Sequence, residues 1–196
     1  IAFAKKFGEL EFAVVPFLSK QDANADGTPG DVYDINSQRM RLLLGNETYH
    51  TDSTYKPYSR KCAMLSAGVV PEQEDGTGLP DMRAGYAALD QTTKDRIADL
   101  AAYHSNLYSQ ANDLGDFPAV QDGTIYHGEA YHRPLVKVHS QTGVTNLFIG
   151  RHAFGIPGLS REESRVLLKS LLDFVVADEA RLYEQKYRPG HLLVWD

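Results

Sequence analysis

Residues Pro134-Leu135-Val136-Lys137-Val138-His139-Ser140-Gln141-Thr142-Gly143-Val144-Thr145-Asn146-Leu147-Phe148-Ile149-Gly150 set the fold class. Two short runs, 135–139 and 146–149, are rich in β-branched and aromatic side chains and are separated by turn-forming residues, so each predicts a strand. Reading outward, the same composition predicts strands at 11–18, 63–70, 181–187 and 192–195. Helices interrupt them. One begins at Asp81 and carries Met82, Tyr86 and Leu89; a second is capped near Asp90 with Ile97 and Leu100 on one face. The third opens with a capping box, Ser160 and Glu163, ahead of Val166, Leu167, Leu171, Leu172 and Val175 at helical spacing. Residues 22–34 and 112–128 hold Gly, Asp, Asn and Pro without apolar periodicity and are predicted loops. No segment repeats, so residues 1–196 are expected to form a single domain. Many short strands with a few helices outside them predict a mainly β fold, a β-sandwich or jelly roll with helical insertions.

Composition narrows function. With 42% hydrophobic and 23% charged residues the chain has the usage of a globular protein. Its 20 basic residues are scattered among 26 acidic ones for a net charge of −6, which argues against a nucleic-acid partner. The single cysteine, Cys62, excludes an internal disulfide and suits a reducing, cytoplasmic compartment; it is expected as a small hydrophobe buried in the 63–70 strand region. Apolar runs such as 12–18, broken by Pro16, are far shorter than the roughly 18 residues a membrane helix needs. At the start, apolar residues 1, 3, 4 and 7 have the spacing of a helix end closed by Gly8, and at the finish 192–195 is a strand followed only by Asp196. Both ends are expected to continue in the natural protein, with a site residue beyond Asp196.

The chemistry-bearing stretch is Asn46-Glu47-Thr48-Tyr49-His50-Thr51-Asp52-Ser53-Thr54-Tyr55. In an extended strand, positions i and i+2 share a face, so His50 and Asp52 would aim an imidazole nitrogen and a carboxylate oxygen at one point. Such an N/O pair suits Fe(II), and a second histidine would complete the two-His, one-carboxylate facial triad whose open positions serve a cosubstrate and dioxygen. Taken alone, His-x-Asp is equally a surface hydrogen bond.

The surrounding residues resemble the TauD/TfdA family of Fe(II)- and 2-oxoglutarate-dependent dioxygenases. The likeness runs through Phe3-Ala4-Lys5-Lys6-Phe7-Gly8, His50-Thr51-Asp52-Ser53-Thr54-Tyr55, Asp75-Gly76-Thr77, Asp81 to Leu89, Pro134 to Gly143, Leu147-Phe148-Ile149-Gly150 and Val194-Trp195-Asp196. It implies a double-stranded β-helix, with His50 and Asp52 as the first two iron ligands and a distal histidine and a 2-oxoglutarate arginine after Asp196. It also implies that Thr77 holds a 2-oxoglutarate carboxylate and that Asn46 lies near substrate; turn chemistry after Gly45 is the equal alternative for Asn46. Residues 104–110 and 149–158 look closer to the aryloxyalkanoate branch, which implies a small carboxylate substrate, with Arg151 as a clamp and Tyr108 and His152 lining the cavity. The implied reaction converts 2-oxoglutarate and O2 to succinate and CO2 while hydroxylating the substrate, and hydroxylation beside an ether oxygen releases a phenol or alcohol and an oxo acid. Family members acting on a sulfonate, a sulfate ester or a biosynthetic intermediate, and a non-catalytic jelly-roll binder, are the alternatives; a homo-oligomer is a further expectation of the resemblance.

Two other motifs fail their tests. Asp22-Ala23-Asn24-Ala25-Asp26-Gly27 opens like an EF-hand loop, but position 12 is Tyr33 rather than a bidentate Glu. His127-Gly128-Glu129-Ala130-Tyr131-His132 spaces its histidines five apart instead of four, which leaves His127 as a hydrogen-bonded loop residue.

Overall fold

The computed structural model describes residues 2–9, 21–23, 29–68, 70, 76–115, 117, 119–120 and 127–196. The predicted strand at 11–18 and most of the EF-hand-like loop lie outside them. In chain order the elements are β1 (Gln21–Ala23), β2 (Pro29–Val32), α1 (Gln38–Asn46), β3 (Ala63–Ser66), β4 (Thr77–Pro80), α2 (Met82–Ala88), α3 (Gln91–Ile97) and β5 (Ala101–His104). They continue as α4 (Asn106–Leu114), β6 (Tyr131–Pro134), β7 (Val136–Val138), β8 (Thr145–Leu147), β9 (Ala153–Phe154), α5 (Arg161–Val176), β10 (Leu182–Gln185) and β11 (Leu192–Trp195). Short strands with helices are therefore what the sequence builds. All pairings are antiparallel: β5 lies between β6 and β9, and β1–β2, β3–β11, β4–β10 and β7–β8 form two-stranded ribbons. Among the described residues these ribbons do not join into a jelly roll.

Helix starts are where the capping chemistry puts them. Asp81 accepts from the Arg83 and Ala84 amides, Asp90 from Thr93, and the Ser160–Glu163 capping box forms in both directions. α5 turns Leu167, Leu168, Leu171 and Val175 inward onto Leu89, Ile97, Leu135, Leu147, Ile149 and Ile156. Val166 falls off that stripe and is exposed. Gly85 of α2 sits so close to Val175 that a Cβ would lie 2.5 Å from its Cγ2, which is how α2 and α5 approach. Leu135, fully buried at the bend between β6 and β7, donates its amide to Leu100 and accepts from Phe148, stitching the three-stranded sheet to the β7–β8 ribbon.

Several expectations are corrected. Residues 22–34, predicted as loop, contain the β1–β2 ribbon, and Asn112 belongs to α4. α1 and α4 escaped the periodicity because their inward faces carry few apolar residues: α1 buries only Met40 and Gly45, and α4 buries Leu107 together with the polar Asn106, Ser109 and Gln110. Leu100 follows α3 rather than sharing its face, and Cys62 is half-buried in irregular chain before β3. Strand β3 stops at Ser66, beyond which Ala67 bonds Gly190 and His191 through its backbone. Near the start, where the spacing predicted the last turns of an amphipathic helix, residues Ala4–Phe7 form a single 3-10 turn with no buried residue, closed by Gly8. Among the described residues no helix is long and apolar enough to cross a membrane.

Candidate active site

The segment from α1 to β3 carries His50 and Asp52, and it is not a strand. Residues 52–58 are turns and bends, Ser53 adopts a left-handed conformation (φ 60°), and the Lys56 amide closes a turn on the Ser53 carbonyl. The extended-strand geometry expected for His50 and Asp52 is thus overturned, yet the turn brings the same two atoms together: His50 Nε2 lies 3.5 Å from Asp52 Oδ1. The other imidazole nitrogen, Nδ1, donates to the Thr48 carbonyl at 2.7 Å, so Nε2 is the nitrogen that faces Asp52.

Three neighbouring segments hold this turn. Gly150 packs so tightly that a Cβ there would sit 3.1 Å from His50 Cα and 3.3 Å from the Tyr49 carbonyl; its φ of 155° suits glycine as well. Arg151 donates its amide to the same Tyr49 carbonyl. The imidazole of His152, 4% exposed, meets His50 edge-on at 5.7 Å and Tyr55 at 4.7 Å, and its Nδ1 is 2.9 Å from Ser109 Oγ of α4. The buried Ser109 was not singled out from sequence, since a serine in a helix carries no pattern that reports its partner. On the other side, a Cβ at Gly78 would lie 3.2 Å from the Tyr49 hydroxyl, so β4 abuts the residue before His50, and Thr77 Oγ1 accepts from the Tyr187 hydroxyl at 2.8 Å.

Electrostatics separate the histidines. Burial pulls the His50 imidazole down, but the Asp52 carboxylate and the Thr48 carbonyl outweigh it and hold it above its usual range. The hydrogen bond from His50 lowers Asp52 against the opposing effect of burial. Burial pushes His152 down to about 3, with the charges of His50 and Arg151 acting the same way, and pushes His104 down to about 4, helped by Arg133. Both buried rings are neutral near pH 7. Among the described residues neither His104 nitrogen has a hydrogen-bond partner; the ring stacks on Phe148.

The sequence-selected residues are not all gathered at one point. His50, Asp52 and His152 converge, and Thr77 is one residue from the Gly78–Tyr49 contact. Asn46 is exposed in the last turn of α1. Arg151 and Tyr108 line a cleft of about 180 Å³ with Phe154, Arg161, Lys169 and Leu172, where Tyr108 stacks on Phe154 at 4.3 Å; Gly150 is the wall shared with the His50 turn. Among the described residues the His127 ring has no hydrogen-bond partner, against the expectation of a hydrogen-bonded loop residue; it packs against Tyr55 and Tyr131.

The His50–Asp52 pair suits a cation. Adjacent donors on a metal with bonds of about 2.1 Å stand roughly 3 Å apart, close to the separation found. Among the described residues no third His, Cys, Asp or Glu joins them. The family described as taurine catabolism dioxygenase TauD, TfdA family, matches residues 1–196. The chain belongs to the TauD/TfdA family. It is 43% identical to an (S)-phenoxypropionate/alpha-ketoglutarate-dioxygenase of Sphingobium herbicidovorans, a match spanning all of this chain and 68% of that protein. It is 31% identical to an alpha-ketoglutarate-dependent 2,4-dichlorophenoxyacetate dioxygenase of Cupriavidus pinatubonensis, covering all of this chain and 70% of that one. The crystal structure of AAD-2 in complex with Mn(II) and N-oxalylglycine superposes with a TM-score of 0.83 at 32% identity, over all of this chain and 68% of that one. The chain is accordingly a 2-oxoglutarate-dependent dioxygenase, an oxidoreductase that uses Fe(II), 2-oxoglutarate and O2 on a small-molecule substrate.

Proposed function

We propose that this dioxygenase hydroxylates an aryloxyalkanoate-type carboxylate, with His50 and Asp52 as two of its iron ligands. The observation that carries the reading is the pairing of His50 Nε2 with Asp52 Oδ1 at 3.5 Å, with Nδ1 turned away onto the Thr48 carbonyl. The relatives named for phenoxypropionate and dichlorophenoxyacetate support the substrate class. A histidine after Asp196 is the proposed third ligand. When bound, Fe(II) supplies oxygen activation, coupling decarboxylation of 2-oxoglutarate to hydroxylation of the substrate.

The remaining work falls to this chain's side chains. The Thr48 carbonyl holds a proton on His50 Nδ1, so Nε2 is the nitrogen left to bind a metal once its own proton is displaced, and the lowered Asp52 carboxylate stays ionised for the same purpose. His152, neutral and bonded to Ser109, closes the site on the His50 side without adding charge. Thr77, already oriented by Tyr187, is the proposed hydroxyl for a 2-oxoglutarate carboxylate. Arg151 is the proposed clamp for the substrate carboxylate, with the Tyr108–Phe154 stack offering an aromatic surface beside it. Asn46 is assigned near substrate on the family likeness. We further infer one domain, a double-stranded β-helix, a homo-oligomer and a cytoplasmic site of action, on the same likeness.

Incubation with Fe(II), 2-oxoglutarate and a panel of phenoxypropionates, phenoxyacetates, taurine and alkyl sulfates tests this. The reading predicts succinate together with a phenol and an oxo acid from the aryloxy members. Succinate formation with taurine or an alkyl sulfate, and no phenol release, would overturn the substrate class.

A further inference from the structure

We propose that Arg133 is a positioning residue for the His50–Asp52 pair, tying the turn that carries them to the central sheet. The inference rests on the reading of that pair as metal ligands.

Arg133 lies on β6 opposite Ala102 of β5, and Tyr131, two residues earlier, lies opposite His104. Paired residues share a face of an antiparallel sheet, so Arg133 stands on the same face as the buried Ala102 and His104. From there its guanidinium reaches across 76 to 79 residues of sequence. Nε donates to the Thr54 carbonyl at 3.2 Å, and Nη2 donates to the Lys56 carbonyl and, at 3.2 Å, to the Pro57 carbonyl. The cation also lies 5.5 Å from the Tyr131 ring centroid, which steadies the fork from the sheet side.

These carbonyls belong to a segment with no strand of its own. Thr54 is 1% exposed, so its carbonyl is buried without a ladder to satisfy it and takes its partner from Arg133, while Lys56 is half-buried and Pro57 lies at the exposed end of the clamp. A guanidinium can serve three carbonyls because its five donors are fixed in one plane; a lysine presents a compact charge that cannot span them. The clamp begins two residues after Asp52 and just past the left-handed Ser53, so it holds the downstream side of the turn. Gly150 and the Arg151 amide hold the upstream side at His50 and Tyr49. With both sides fixed, the Asp52 carboxylate is delivered to His50 as a preset pair rather than assembled when a metal arrives. Arg133 touches neither imidazole nor carboxylate, and acts through the backbone.

Mn(II) binding to the full chain, measured by calorimetry, tests the assignment in wild type, Arg133→Met and Arg133→Lys, with melting temperatures recorded in parallel. Loss of a group that orients metal ligands typically weakens affinity 10- to 100-fold. Arg133→Met is expected to fall in that range, and Arg133→Lys to recover part of it. Ser160→Ala, which weakens the α5 cap away from this turn, is expected to lower the melting temperature while leaving Mn(II) affinity unchanged. Mn(II) affinity within twofold of wild type in Arg133→Met overturns the proposal even if that variant melts earlier. If Arg133→Met does not fold, wild-type affinity in Arg133→Lys overturns it. Wild-type binding that His50→Ala leaves unaltered overturns the ligand reading instead, and the proposal with it.

Discussion

Replacing Gly150 by alanine tests the packing that presents His50. The new methyl would stand 3.1 Å from His50 Cα, 3.3 Å from the Tyr49 carbonyl oxygen and 3.5 Å from the Thr51 amide nitrogen. All three are backbone atoms, so no side chain can swing aside, and the turn itself must retreat by a few tenths of an ångström. The backbone adds to this, because a φ of 155° is a conformation that a residue with a Cβ seldom adopts, at a cost of about 1–3 kcal/mol. For a chain of this size that corresponds to a fall in melting temperature on the order of 5 °C. The displacement acts on the residue whose Nε2 faces Asp52 at 3.5 Å, so metal affinity should fall more than 10-fold. Thermal melts with and without Mn(II) read both effects: the apo melt drops, and the Mn(II)-induced upshift shrinks further. A Gly150→Ala protein with the wild-type melt and the wild-type Mn(II) upshift would refute the claim that this close approach sets the His50 position.

Other outcomes follow from the same geometry. His104 has a folded pKa of about 4 against an ordinary 6.5, so the unfolded chain takes up its proton first. Stability is full above about pH 6.5 and is lost as pH falls toward 4, by up to about 3 kcal/mol from this group; urea unfolding at pH 7.5 and 5 checks it, and His104→Leu should flatten the slope. Ser109→Ala removes the hydroxyl partner of the buried His152 Nδ1 and should cost about 1–3 kcal/mol in urea unfolding. In the core, Leu171→Ala removes a side chain that is 2% exposed and should cost about 2–5 kcal/mol without altering relative Mn(II) affinity in the folded protein.

Capping and turn chemistry made part of this fold legible in advance. Asp81, Asp90 and Ser160 each start a helix because a short acceptor side chain satisfies the first amides locally, and that signal needs no tertiary context. Strands β7, β8, β10 and β11 were legible for a similar reason, in their β-branched and aromatic runs. α4 was not, because beside Leu107 its inward face carries Asn106, Ser109 and Gln110, and the burial of a residue such as Ser109 depends on His152 from distant sequence. At the site, the pairing of His50 with Asp52 was readable from two residues of spacing, but its geometry was not. The segment turns at the left-handed Ser53, and the Arg133 clamp that holds it comes from 76 or more residues away. Gly150 had a visible motif but no visible reason until its contact with the His50 backbone appeared.

The central claim is that His50 and Asp52 hold a metal that 2-oxoglutarate joins. Anaerobic titration of the protein with Fe(II) and 2-oxoglutarate tests it most directly, by following the weak visible metal-to-ligand charge-transfer band in wild type, His50→Ala and Asp52→Ala. The account predicts a saturable band in wild type that both substitutions abolish while the proteins remain folded by circular dichroism. A band that persists in His50→Ala, or no band in folded wild type, would contradict it.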